Sequence, residues 1–165
     1  MGLDMYLSAR KYINKVDWKV LHDSPSLSYD SPLAILPDFK KIVETADLED
    51  LATDVQGVQV SVTCAYWRKS NQIHNWFVNN VQRGVDDCRE YYVSKDKLEE
   101  LRELCRITLF EKNPNGLMPV EGFFFGSNDV DQYYWEDIKA TIKKLDKIIK
   151  HKDYSDLSFY YQSSW

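Results

Sequence analysis

The chain of 165 residues is the length of one domain, and its 44% hydrophobic and 14% aromatic content supplies enough apolar surface for one core, which excludes a disordered chain. Twenty-one basic against 26 acidic residues give a net charge of −5, which argues against a long phosphate backbone as partner and is too small for a mimic of one. Cys64, Cys88 and Cys105 are odd in number and lack C-x-x-C spacing, so neither a disulfide framework nor a thiolate zinc site is expected, and a reducing cytoplasm fits.

Leu3, Met5 and Leu7 alternate with Asp4, Tyr6 and Ser8, the pattern of a first strand with one buried face; the early acid argues against a signal peptide, and Tyr6 breaks the myristoylation pattern. No apolar run is long enough to cross a membrane. Residues 22–37 are rich in Ser, Pro and Asp, and Pro25, Pro32 and Pro37 predict a long loop. A short helix follows over 38–46, with Asp38 as its cap and Phe39, Ile42, Val43 and Ala46 on one stripe. Val58, Val60, Val62, Cys64 and Tyr66 alternate with polar or small residues and make the clearest strand. It feeds a helix expected over 67–80 and ending near Gly84, then an aromatic strand over 88–93.

Ser94 caps the next predicted helix, which buries Leu98, Leu101, Cys105, Thr108 and Leu109 and turns its charges to water. Residues 113–116 read as a turn, and 122–127 as a short strand or a buried loop. The longest helix is expected over 128–150, with Tyr134, Ile138, Ile142, Leu145 and Ile149 buried, acids at its start and lysines at its end. Residues 157–165 read as a last strand. Four strands and four helices without regular alternation predict an α+β fold, one domain over 1–165 with helices packed on a small, mainly antiparallel sheet.

The stretch from Trp67 to Asn80 carries two Trp, a His, an Arg and four Asn, types that sacrifice helix propensity and so point to recognition of a polar ligand. At helical spacing Trp67, Asn71, His74 and Val78 form a stripe beside the apolar one of Ile73, Trp76, Phe77 and Val81, where the wall of a pocket would lie. The competing reading puts Trp67 and Trp76 in the core, Asn71 and Asn75 as local caps and His74 as a satisfied surface histidine. Arg68 and Lys69 at the strand-to-helix junction suit an anion. Tyr91 or Tyr92, and a member of the stretch Tyr160 to Trp165 (Tyr160, Gln162 and Trp165 being the named candidates), are expected to approach the same cavity, on the expectation that their strands neighbour the one ending at Tyr66. Asp86, Asp87 and Glu90 read as a solvated turn, with the open alternative that one of them pairs with His74 for acid-base hydrolysis. A cysteine nucleophile lacks an orienting neighbour, and His22, His74 and His151 lie too far apart in sequence to predict a metal site; no cofactor is expected.

The opening Met1-Gly2-Leu3-Asp4-Met5-Tyr6-Leu7, the block Trp67-Arg68-Lys69-Ser70-Asn71 with Ile73-His74 and Trp76-Phe77, the step Phe124-Phe125-Gly126-Ser127 and the ending Tyr160-Tyr161-Gln162-Ser163-Ser164-Trp165 together resemble a family of small uncharacterised proteins of tailed bacteriophages and prophages. The resemblance spans nearly the whole chain. It implies an accessory phage protein in the cytoplasm of an infected bacterium, similar in size to counter-defence factors that sequester nucleotide-derived immune signals. The expected function is therefore binding and sequestration of a small nucleotide-like ligand by Trp67, Arg68, Lys69, Asn71, His74, Tyr91, Tyr92, Tyr160, Gln162 and Trp165, with no long nucleic acid and no membrane as partner. Two alternatives stand beside it: a protein-binding inhibitor of a defence enzyme, which would use the exposed aromatics, and a hydrolase of the signal.

Overall fold

The computed structural model describes residues 2–114, 116–120 and 128–165. In chain order they form β1 (Asp4–Asn14), α1 (Trp18–Asp23), α2 (Pro37–Ala46), β2 (Gly57–Arg68), α3 (Asn71–Asn80), β3 (Tyr91–Val93), α4 (Lys95–Glu111), α5 (Gln132–Ile149) and β4 (Ser158–Ser164), with short 3-10 turns at Glu49–Leu51 and Tyr154–Asp156. The fold is α+β, with a four-stranded antiparallel sheet ordered β2-β1-β4-β3. The chain divides into two compact units, one of residues 1–9 and 62–165, the other of residues 10–61.

In the larger unit the sheet's inner face comes from strict alternation. Leu3 just before β1, Met5 and Leu7 of β1, Ala65 and Trp67 of β2, Val93 of β3, and Phe159 and Tyr161 of β4 are all buried. Against them pack Ile73, Trp76 and Phe77 of α3, Leu98, Leu101 and Cys105 of α4, and Tyr134, Ile138, Leu145 and Ile148 of α5. Burying each of the larger aliphatic side chains is worth about 1.5–3 kcal/mol, and α4 and α5 are additionally tied by Arg106, whose guanidinium donates to both oxygens of Asp146 at 2.8 and 3.1 Å. Helix α4 begins where its sequence predicts, with the Ser94 hydroxyl accepting from the Lys97 amide. Helix α5 starts later than expected, because Asp131 caps it by accepting from the Tyr134 amide.

Three further elements differ from the sequence expectation. Trp67 and Arg68 belong to β2, and α3 begins only at Asn71. Lys69 adopts a left-handed φ of 57° while its amide donates to Leu3 O at 2.8 Å, so pairing with the neighbouring chain outlasts the local helical signal and takes Trp67 off the helix stripe. The strand predicted over 88–93 shrinks to β3, because Cys88 is also left-handed (φ 59°) and Asp87 turns the chain by accepting from the Arg89 amide at 3.1 Å. Finally, β1 lies between β2 and β4, so neither β3 nor β4 neighbours the strand that ends beside Tyr66. The segment predicted over 122–127 lies outside the described residues, as does Asn115 of the predicted 113–116 turn.

Within residues 10–61, Asp17 caps α1 by accepting from the Lys19 amide, so the helix takes in residues 22 and 23 of the expected loop. Helix α2 starts at Pro37, which pre-sets φ for a first helical residue, and Leu36 rather than Asp38 holds the cap position without a side-chain bond. Phe39 and Val43 are its buried residues. Val16 and Ile35 form an isolated antiparallel bridge. Gly57 admits no other residue without rearrangement, since a Cβ there would sit 2.4 Å from the Ile13 carbonyl oxygen and 2.6 Å from the Tyr12 ring.

Candidate functional site

The Asn-rich helix α3 supplies a buried polar network. His74 is 1% exposed, its Nδ1 lies 2.7 Å from the Tyr161 hydroxyl and its Nε2 lies 2.9 Å from Asp86 Oδ2. Burial above all, then the negative charge of Asp86, pushes the Tyr161 hydroxyl well above the ordinary tyrosine range, so it stays protonated. The arrangement that satisfies all three groups has Tyr161 donating to Nδ1 while Nε2–H donates to Asp86. Asp86 also accepts from the Trp165 indole at 3.1 Å, and the Tyr161 ring stacks on Phe77 at 3.9 Å, only 8° from parallel.

Trp67 is likewise structural. Its indole donates to the Thr141 hydroxyl at 2.9 Å, its ring meets Phe77 edge-on at 6.0 Å, and Lys144 sets its ammonium 5.6 Å from the ring centroid. Asn71 is buried with Gln72 and His74 on α3.

A separate cavity of about 370 Å³ opens where β2 passes into α3 and α5 begins, lined by Arg68, Lys69 and Gln72 on one side and by Asp131, Tyr133 and Asp137 on the other. Pro119, Asp129 and Tyr134 complete the described lining. Neither Asn71 nor His74 lines it. Arg68 is exposed, with Nε 4.0 Å from Asp4 Oδ1, while Tyr133 leaves 74% of its surface to solvent. The Tyr134 hydroxyl is spent on Leu117 O at 3.0 Å, and Asp131 on the helix cap. Burial raises the Asp137 carboxyl above its ordinary range, opposed by the Gln72 amide, which donates to Asp137 Oδ2 at 3.4 Å, and by the charge of Lys144. The same burial lowers the Lys144 ammonium. The lining thus carries cations together with a carboxyl that holds its proton unusually well.

The remaining expected site residues sit on β3 and β4. Tyr91 lies opposite Tyr161 and Tyr92 opposite Tyr160, and the Tyr92 and Tyr160 rings meet edge-on at 5.8 Å on the outer face of the sheet. The Tyr91 hydroxyl donates to Asp87 at 3.0 Å, and hydrogen bonding from Arg89 holds that carboxyl below its usual range. Gln162 donates to Cys88 O at 3.1 Å. Of the ten expected residues, only Arg68 and Lys69 line the cavity. Sequence reasoning missed Gln72, Tyr133 and Asp137. The available signal was that Tyr133 stands off the buried stripe of α5 and that Asp137 lies too far along that helix to serve its N-terminal dipole.

Cysteine chemistry has little support. Burial pushes the Cys105 thiol up to about 12 and the Cys64 thiol up to about 11, and Cys64 donates to Leu7 O. Among the described residues no three His, Cys, Asp or Glu side chains gather as a metal site, and no helix is long and apolar enough to cross a membrane. Fold and cavity define an α+β protein with an open, mixed-charge pocket at a strand-to-helix junction. Comparison with family models, curated proteins and solved structures returns no match to the chain.

Proposed function

We propose that the protein binds and holds a small nucleotide-like molecule in the cavity between the starts of α3 and α5, as a phage accessory factor that withdraws an immune signal in the cytoplasm of an infected bacterium. The observation that carries this reading is the conjunction of two exposed cations, Arg68 and Lys69, with the exposed ring of Tyr133 and the hydrogen-bonding pair Gln72 and Asp137 around one cavity. A nucleotide needs those three things: positive charge for phosphate, an aromatic face for the base and polar groups for its edges. The volume stands at the lower end of the roughly 300–1,000 Å³ usual for ligand sites, which favours one compact molecule over a polymer.

Holding without turnover is part of the proposal. Among the described residues the lining offers no activated nucleophile, and His74, the strongest acid-base candidate in the sequence, is committed to Tyr161 and Asp86. The test is thermal melting with a panel of nucleoside mono- and diphosphates, ADP-ribose and cyclic dinucleotides, followed by denaturation and recovery of any ligand that raises the melting temperature. A ligand at a hundred times its Kd stabilises the native state by about 2.7 kcal/mol, and intact recovered ligand is the expected result. Cleaved ligand moves the reading to a hydrolase, and a panel without effect removes the nucleotide assignment.

A further inference from the structure

Residues 10–61 contain a cavity of their own, of about 330 Å³, bordered by Trp18, Tyr29, Lys15, Asp30, Thr53 and Asp54. Trp18 opens α1 and Tyr29 lies in the Pro-rich loop. They are 51% and 62% exposed, and their rings meet edge-on at 5.6 Å and 70°. Two large aromatic side chains left half in water forgo much of the burial that makes such residues useful to a core. The cavity is therefore bordered by two rings, inclined at 70° to each other, that leave about half of their surface open to a ligand.

Charge decides what such faces would hold. Lys15 reaches the cavity, but its side chain is only 13% exposed and its ammonium donates to Asp30 Oδ1 and to Thr53 O, both at 2.9 Å, so its charge is already matched. Asp54 has no cationic partner among the described residues. The segment as a whole has six Lys and Arg against nine Asp and Glu. An aromatic face is negative at its centre and a carboxylate is negative outright, so both attract a cation and repel an anion.

We infer that this cavity binds an organic cation, a primary ammonium or guanidinium group that lies against the Trp18 and Tyr29 rings with its charge answered by Asp54. A free polyamine and an Arg or Lys side chain of another protein share that chemistry. The inference is independent of the nucleotide reading, which uses other residues and the opposite charge.

The experiment is an NMR titration of the full chain that follows the Trp18 indole N–H, assigned by its disappearance in Trp18→Phe. Spermidine is the probe in one arm, Nα-acetyl-arginine amide in a second, and glutarate is the anionic control. A saturable shift of the Trp18 signal with at least one cation and none with glutarate is expected, and the arm that responds more strongly identifies the source. Asp54→Asn and Tyr29→Ala, both exposed changes, should each weaken binding about tenfold. No saturable shift with either cation, an equal shift with glutarate, or an unchanged affinity in either variant overturns the assignment.

Discussion

Gln72 and His74 stand two residues apart on α3 and have opposite fates. Two residues on a helix are separated by about 200°, so consecutive even positions face nearly opposite ways. Gln72 turns to Asp137 and the open cavity, while His74 turns inward to Tyr161 and Asp86. Both are buried polar residues, yet the first is in the described lining of the cavity and the second is not. The contrast teaches that an unusual run of polar and aromatic residues can mark the place where a core is pinned by hydrogen bonds, with the proposed recognition left to the residues at its edge.

The largest test of that division is His74→Ala. It takes the imidazole from the Tyr161 hydroxyl and from Asp86, which keeps the Trp165 indole, and opens a cavity beside the Tyr161 ring, so urea denaturation should show a loss of about 3–5 kcal/mol. A loss below about 1 kcal/mol would mean that the network is not structural, and the comparison would collapse. Next comes Arg68→Ala, which should weaken binding of a phosphate-bearing ligand by about 1.5–3 kcal/mol in calorimetric titration while the melting temperature of the free protein stays put. Equal affinity for the two proteins removes Arg68 from the site.

Tyr161→Phe should cost less than either, about 1–2 kcal/mol, because the stack on Phe77 survives and only the hydroxyl's hydrogen bonds, to His74 and Ser163, go. The smallest effect concerns acid. The Asp137 carboxyl binds its proton more tightly in the folded state than in the unfolded chain, so protonation favours folding. Its contribution is therefore largest at low pH and is lost as pH rises through the ordinary carboxylate range into the raised one. Melting temperatures of the parent protein and of Asp137→Asn, compared from roughly pH 4 to pH 7, should diverge with the parent losing ground as the pH rises. Parallel curves would show that the cavity wall does not hold the proton as described.

Much of the fold could be read from local pattern. Helix α4 was legible because its start and its buried face are written within one segment, Ser94 for the cap and Leu98, Leu101 and Cys105 for the stripe. Strand β2 showed its alternation, but its end did not show, because the ladder continues through Trp67 and Arg68 by pairing with a chain segment more than sixty residues earlier. The site was less legible for the same reason. Nothing next to His74 announces Tyr161, which is 87 positions away, and the partner of Gln72 across the cavity is 65 positions away. Arg68 and Lys69, which line the cavity, could be singled out because charge at a junction is a local property; Tyr133 and Asp137 join that lining only through the placement of α5 beside α3.

The position of β4 in the sheet has a consequence for how the chain is made. Strand β3 pairs with β4, and β4 is also the neighbour of β1, yet β4 is synthesised after α4 and α5. During translation β3 waits with its ladder groups unpaired, and β1 keeps an open edge, until the ribosome delivers that strand. Contacts of such long sequence separation close slowly, and exposed edges invite pairing with other chains. Nascent protein should therefore be most vulnerable to aggregation and most dependent on holding chaperones in the interval between the emergence of α5 and that of β4.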